Sequence, residues 1–312
     1  MIARIMFWGV SSTRPFKGRL PPCTVVKLDG RIVLLDSGEM CQGAFEYFGL
    51  SYNSPLIILI SHLHGDHTYG LVPLLESLQL AGRKEPIEII GPLGVGEIIP
   101  AQLLLKQEYP VRVLEILGDE GRIPLGGEER LSVRYIRAPH SYISYSYVLE
   151  TRERIRLDGR KLQEEGIPGK LRRRLLDRGQ IRYRGKVYFL EDFILDKIPG
   201  LKISYSGDTL PNARFGAASW EADVMIHEST FLHADWIGRE SIAHSTSREA
   251  AYLAKKARVK LLILTHFSTR YTELEPLLEE AKAVFPRVVL AEKGLVVEVK
   301  AGRPRVITIM RA

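Results

Sequence analysis

Ser61-His62-Leu63-His64-Gly65-Asp66-His67 follows directly on Leu56-Ile57-Ile58-Leu59-Ile60. Five aliphatic residues in a row read as a strand buried on both faces, as inside an α/β sheet. Four metal-binding side chains then crowd together: His62, His64, Asp66 and His67. Imidazole and carboxylate are the donors preferred by zinc and neighbouring divalent metals. His62 and His64 are two apart, so an extended backbone turns both the same way, toward one ion. Asp66 and His67 are adjacent and project elsewhere, toward a second. The spacing predicts two metals side by side, an arrangement that activates water against a phosphate or acyl centre. A polar turn after a strand would account for one stray histidine, but not for four donors in six positions.

Two such metals take about seven protein ligands, so three more are needed. The chain has eight histidines, at positions 62, 64, 67, 140, 227, 233, 244 and 266. His140 follows the strand-like run Leu131 to Arg137, Asp208 follows Leu201 to Gly207, and His266 follows Leu261-Leu262-Ile263-Leu264-Thr265. Open α/β sheets carry their ligand sites at such strand ends. Each residue alone reads as structural, and the repeated pattern makes them candidate ligands.

His-x-His-x-Asp-His, a later His140, Ser206-Gly207-Asp208-Thr209 and Thr265-His266 together resemble the metallo-β-lactamase superfamily. The resemblance implies one metal held by His62, His64, His140 and Asp208. It implies a second held by Asp66, His67, Asp208 and His266, with Asp208 bridging and a hydroxide between the metals as nucleophile. Its cofactor is two Zn2+ per subunit, with Mn2+ or Fe2+ able to bind the same donors. The implied fold class is α/β, a four-layer αββα sandwich.

Three further stretches resemble the ribonuclease Z family within that superfamily. They are Phe7-Trp8-Gly9-Val10 leading to Pro15-Phe16-Lys17-Gly18-Arg19, then His227-Glu228-Ser229-Thr230-Phe231, then Ala243-His244-Ser245-Thr246. The resemblance runs from about residue 4 to about residue 299. It implies a zinc-dependent endoribonuclease that removes the 3′ trailer from precursor tRNA and leaves a 3′-hydroxyl. Phosphodiester cleavage also needs a proton for the leaving oxygen, and a histidine off the metals suits that task. His244 is the candidate general acid, with Glu228 orienting and charging its ring. Asp66 is both a ligand and a candidate base for the attacking water. His227 reads as a structural neighbour of Glu228, and His233 has no motif around it. Lys17 and Arg19 are candidate substrate contacts.

Charge is unevenly spread. The chain carries 44 Lys+Arg against 37 Asp+Glu, a net +7. Thr151 to Tyr188 alone holds 13 basic and 5 acidic residues, which leaves 31 against 32 elsewhere. A solvated loop is the common meaning of such a run. Concentration in one stretch, rich in Arg and poor in aromatics, points instead to a duplex phosphate backbone. The ribonuclease Z resemblance implies a protruding arm in this interval that grips tRNA, with Gly166-Ile167-Pro168-Gly169-Lys170-Leu171 at its tip. The arm is placed at 151–195 as an insertion in a single domain spanning 1–312. Pro168-Gly169 stands where bacterial members show Gly-Pro. Lys170, Arg172, Arg173 and Arg174 are the candidate tRNA contacts.

No Pro/Gly/Ser-rich linker, low-complexity tract or internal repeat is visible. No run approaches the ~20 apolar residues that span a bilayer, and the start lacks the pattern of a signal peptide. Cys23 and Cys41 show no pairing or metal spacing, so a reducing, cytoplasmic setting is expected. The family resemblance implies a homodimer. Strands are expected near 2–8, 23–28, 31–36, 56–60, 87–90, 111–117, 131–137, 142–149, 201–206, 223–227, 261–265, 287–290 and 294–299. Helices are expected at 70–81, 96–107, 247–258 and 273–284. Thr246 with Glu249, and Thr272 with Glu275, read as capping boxes.

Two other functions compete. A small-molecule phosphodiesterase, arylsulfatase-like hydrolase or thioesterase would share the metals but not need the basic run. A non-catalytic RNA-binding scaffold would be expected to lack ligands, and none is missing. Nucleases with a large domain between the fourth ligand and the last histidine are disfavoured, because only 57 residues separate Asp208 from His266.

Overall fold

The computed structural model describes residues 2–101, 103, 108–236, 243–301 and 303–309. Two compact units emerge, one of Met1–Glu150 with Leu201–Ala312, the other Thr151–Gly200. The larger opens with β1 (Ile2–Gly9), β2 (Cys23–Leu28), β3 (Arg31–Leu35), β4 (Leu56–Leu59), β5 (Ile87–Pro92) and β6 (Val111–Ile116). There follow β7 (Glu120–Leu125), β8 (Glu128–Ala138) and β9 (Ser144–Thr151). The smaller unit holds β10 (Arg154–Leu157), β11 (Gln180–Tyr183), β12 (Lys186–Phe189) and β13 (Ile194–Ile198). The larger then resumes with β14 (Lys202–Tyr205), β15 (Val224–Glu228), β16 (Leu262–Thr265), β17 (Val288–Leu290), β18 (Leu295–Lys300) and β19 (Arg303–Ile309).

The larger unit's strands form two sheets, in the orders β19-β18-β1-β2-β3-β4-β5-β6 and β17-β16-β15-β14-β9-β8-β7, and the smaller unit's form two pairs, β10-β13 and β11-β12. Alternation along the first sheet sorts its side chains. Ile5, Phe7, Val33, Leu35, Ile57 and Leu59 join the main core with Tyr147, Ile203 and Ile226 of the second sheet. Met6, Trp8, Ile32, Leu34 and Ile58 turn the other way, onto Leu71, Leu74, Leu75 and Leu78. Those four leucines form the buried stripe of the helix Leu71–Leu80. Each contributes roughly 1.5–3 kcal/mol by leaving water. On the far side, Ala250, Ala251 and Ala254 of helix Ser247–Lys256 and Leu277 and Ala281 of helix Glu275–Lys282 pack against the second sheet. The architecture is the αββα sandwich.

Three expectations need correction. The box at Thr246 forms, with Thr246 and Glu249 each bonding the other's backbone amide. The one at Thr272 does not: that helix starts at Glu275, behind Leu274. A start at Thr272 would require Pro276 to donate to the Thr272 carbonyl, and Pro has no N–H. The helix expected at 96–107 gives way at its start to a 3-10 turn, Val95–Ile98. Pro100 cannot donate to the Gly96 carbonyl. Residues 102 and 104–107 of that expectation lie outside the described residues. Finally, six strands were not expected: β10 to β13 in the smaller unit, and β7 and β19 in the larger, the last two both at sheet edges and carrying Pro124 and Pro304. An edge strand can accept Pro because its N–H side needs no partner.

Thr151–Gly200 is a small fold with its own core of Leu162, Ile167, Leu175, Ile181, Tyr188, Leu190 and Phe193. It runs past residue 195, because β13 pairs back on β10, with Arg154 opposite Ile198. Asp158 caps a helix at Gly159–Glu164, and Gly179, at φ 72°, ends another at Gly169–Arg178.

Candidate active site

The clustered donors all sit at strand ends of the larger unit. β4 delivers His62, β14 delivers Asp208 through Gly207, β15 ends on Glu228 and β16 leads into His266. Gly207 has φ 57°, and a Cβ there would lie 2.7 Å from Ser61 Cβ, so only glycine fits without a shift. His64 keeps an extended backbone at φ −63°, ψ 148°, and the short helix Gly65–Thr68 then swings Asp66 and His67 to the neighbouring position. His266 itself has φ 61°, a left-handed conformation that costs a non-glycine residue roughly 1–2 kcal/mol.

The structure brings all seven expected ligands together, in two groups that share Asp208. His62, His64, His140 and Asp208 present donor atoms within 4.8 Å of one another, as do Asp66, His67 and His266. In the second group His67 Nε2 and His266 Nε2 are 3.4 Å apart. Asp208 Oδ2 lies 3.4 Å from the first and 3.3 Å from the second. Asp66 Oδ2 lies 3.6 and 3.5 Å from the same two atoms. Four donors about 2.05 Å from a central ion would form a tetrahedron with edges of about 3.3 Å. Five of its six edges are thus in place. In the first group His64 Nδ1 is 2.8 Å from His62 Nε2 and 3.3 Å from His140 Nε2, and Asp208 Oδ2 is 3.6 Å from His62 Nε2. Asp208 Oδ1 is buried with no hydrogen-bond partner among the described residues. An orphaned oxygen on a carboxylate whose other oxygen stands amid imidazole nitrogens is what a resident cation satisfies.

Other residues fix which nitrogen faces inward. Asp36, fully buried, holds His67 Nδ1 at 2.7 Å and also accepts from Ser61 Oγ and the Tyr205 hydroxyl. His140 Nδ1 donates to the Ala243 carbonyl at 2.9 Å. His266 Nδ1 lies 2.9 Å from Thr230 Oγ1, whose own proton goes to Glu228 Oε2 at 2.6 Å. In each case the donating nitrogen is spent outward and Nε2 is left bare for a metal. Asp36, Ser61, Tyr205 and Thr230 were not expected from sequence. Asp36 directly follows the buried strand β3 and Ser61 lies two residues past β4, but hydroxyls and single carboxylates at strand ends are too common to stand out.

Burial depresses the basicity of His62 and His64, keeping them neutral and able to ligate. Burial works against ionising Asp208, yet His266 and His67 outweigh it and hold the carboxyl well below its usual range. Burial likewise opposes ionisation of Asp66 and is overcome by His67 and His266. Thr13 N also donates to Asp66 Oδ2 at 2.8 Å. His244 differs from the ligands. Its Nδ1 is 3.0 Å from Glu228 Oε1, which also accepts from Thr209 N. Burial lowers its pKa, but Glu228 and then Asp208 overcome that and lift it to about 9. Nδ1 is also 3.9 Å from Asp208 Oδ2, but its bond to Glu228 leaves it poorly placed to ligate. His227 turns Nδ1 to the Glu228 carbonyl at 2.8 Å, with its ring 6.0 Å from that of Phe215. His233 bonds Glu280 through its backbone amide.

The candidate substrate contacts fall into two sets. Lys17 is exposed, and its Nζ reaches Thr272 Oγ1 at 3.2 Å. Arg19 lies over the Phe16 ring and donates to the Tyr271 carbonyl, so it ties the N-terminal loop to the segment after His266. Lys170, Arg172, Arg173 and Arg174 stand on helix Gly169–Arg178, whose Leu175 is buried in the small unit's core. Arg173 is 84% exposed and 3.9 Å from Asp177. Cys23 and Cys41 are buried free thiols. Among the described residues, no helix is long and apolar enough to cross a membrane.

The αββα layers and the paired donor groups define a metallo-β-lactamase-fold hydrolase, and the profile of the metallo-β-lactamase superfamily matches residues 17–154. The chain is 33% identical over 302 residues to a ribonuclease Z of Nitrosopumilus maritimus, covering 95% of this chain and 100% of that one. It is 32% identical to a ribonuclease Z of Saccharolobus solfataricus, over 93% of this chain and 97% of that one. The short form of human tRNase Z superposes with a TM-score of 0.66 at 24% identity, over 99% and 100% of the two chains, a likeness of fold. This chain belongs to the ribonuclease Z family.

Proposed function

We propose that the protein removes the 3′ trailer from precursor tRNA as a metal-dependent endoribonuclease. The observation that carries the reading is His244. It stands beside the shared carboxylate Asp208 but is bonded through Nδ1 to a buried Glu228. Water adds to phosphorus, the bond to the tRNA 3′ oxygen breaks, and that oxygen takes a proton to leave a 3′-hydroxyl. His244 is the donor of that proton, and Glu228 keeps it protonated and aimed. Asp66, ionised and tied to the Thr13 amide, suits ligation and orientation of the water better than storage of its proton.

Two zinc ions per subunit are the proposed cofactor, held as one by His62, His64, His140 and Asp208 and as one by Asp66, His67, Asp208 and His266. Manganese and iron suit the same donors. When bound, the metals activate the water and neutralise charge gathering at phosphorus. The basic unit Thr151–Gly200 is the proposed grip on the tRNA body, through Lys170, Arg172, Arg173 and Arg174, while Lys17 flanks the cut. A cytoplasmic homodimer completes the reading, supported by the free thiols and the family.

Incubation of purified, zinc-loaded protein with 5′-labelled precursor tRNA tests it. A product ending beside the acceptor stem, abolished by a chelator and restored by zinc or manganese, is expected. Intact precursor alongside turnover of small phosphodiesters would replace tRNA with a small-molecule substrate.

A further inference from the structure

Beside the catalytic centre, helices Ala213–Ala218 and Ser247–Lys256 lie close together on the second sheet. Gly216 permits this approach, since a Cβ there would meet Leu253 Cδ1 at 2.5 Å. An open groove of about 560 Å³ runs along the pair, floored by Ala213, Gly216, Ala217 and Leu253. Two aromatic rings line it while staying open to solvent, Trp220 at 45% and Tyr252 at 49% exposure. Lys256 lines it as well, and the Arg258 guanidinium lies 4.9 Å from the Trp220 ring. Its acidic lining residue, Glu249, has Oε2 engaged by the Thr246 amide and hydroxyl.

The groove starts at the catalytic edge. Pro211 lies three residues beyond Asp208, and the second helix begins three residues beyond His244. From Glu249 to Lys256 the helix advances about 10 Å away from that edge. Open π-faces backed by cations are the recognition chemistry of single-stranded RNA, because every base has a face to stack and every nucleotide a phosphate. A duplex offers no unstacked bases to such rings.

We propose that this groove binds the single-stranded 3′ trailer, with bases stacked on Tyr252 and Trp220 and phosphates drawn to Lys256 and Arg258. The proposal rests on the tRNA-processing reading above. Precursor tRNAs with trailers of about one and about ten nucleotides test it, cleaved by wild type, a Trp220→Ala/Tyr252→Ala pair and a Trp220→Phe/Tyr252→Phe pair. Wild type is expected to show a lower KM for the long trailer. The alanine pair loses that preference, roughly five- to hundred-fold in KM, at unchanged kcat on the short trailer. The phenylalanine pair, which keeps its stacking faces, retains it. Equal slowing of both substrates, no change in either, or an altered sedimentation coefficient pointing to a subunit contact would each overturn the proposal. If wild type cuts neither precursor, the tRNA reading fails. Binding of a fluorescein-labelled decamer of uridylate then decides the groove alone: it stands if the alanine pair weakens binding and falls if it does not.

Discussion

His244 and Glu228 form one proton-holding unit, and each has a distinct predicted effect. Glu228→Gln removes the charge that raises the pKa of His244 while sparing the shape of the contact. A protonated imidazole loses stabilisation, so its pKa falls and the general acid deprotonates sooner as pH rises. The alkaline limb of the kcat profile is therefore expected to move to lower pH, which a pH–rate series reads directly. Asp36→Asn acts on the metal instead. It takes the carboxylate from His67 Nδ1 and is expected to weaken metal affinity by roughly 10–100-fold in a chelator competition titration. At this scale the sequence was informative where chemistry is rare. Four donors in six positions, and a histidine preceding a capping box, seldom occur together without a shared chemical task. Asp36 and Thr230 were silent because their roles exist only after folding, when β3 brings Asp36 to His67 and Thr230 bridges Glu228 to His266.

Among the elements, the ligand-bearing strands β4 and β16 were legible because they are buried throughout and run aliphatic over Leu56–Leu59 and Leu262–Leu264. Edge strands β7 and β19 were not, since exposure on one side and a proline each dilute the pattern. Thr272 shows that a capping pattern is local, and that Pro276 four residues on can overrule it. The small unit's fold was hidden because its core is seven residues scattered among charges. Gly207 tests how tightly the turn into Asp208 is drawn. Gly207→Ala adds a Cβ 2.7 Å from Ser61 Cβ at a left-handed φ of 57°. A loss of about 1–3 kcal/mol in denaturant unfolding is expected, with lowered metal occupancy.

At the scale of the whole molecule, charge and catalysis are assigned to different units. Glu150 and Lys202 are direct antiparallel partners, so a short turn can replace Thr151–Gly200 without disturbing β9 and β14. Such a deletion is expected to leave metal content and hydrolysis of a small phosphodiester unchanged. KM for precursor tRNA should rise, and its dependence on salt should flatten as phosphate contacts are lost. The uneven charge that marked this unit was plain in the sequence; that it folds around a core of its own was not.

The most direct measurement is 3′-end mapping of precursor tRNA treated with wild-type protein and with His244→Ala, alongside metal analysis of both. A wild-type product with a 3′-hydroxyl beside the acceptor stem is expected. The variant is expected to keep its full metal content yet to cleave about 10²–10⁴-fold more slowly. Undiminished cleavage by the fully loaded variant would remove His244 from the chemistry and leave the leaving oxygen to take its proton elsewhere.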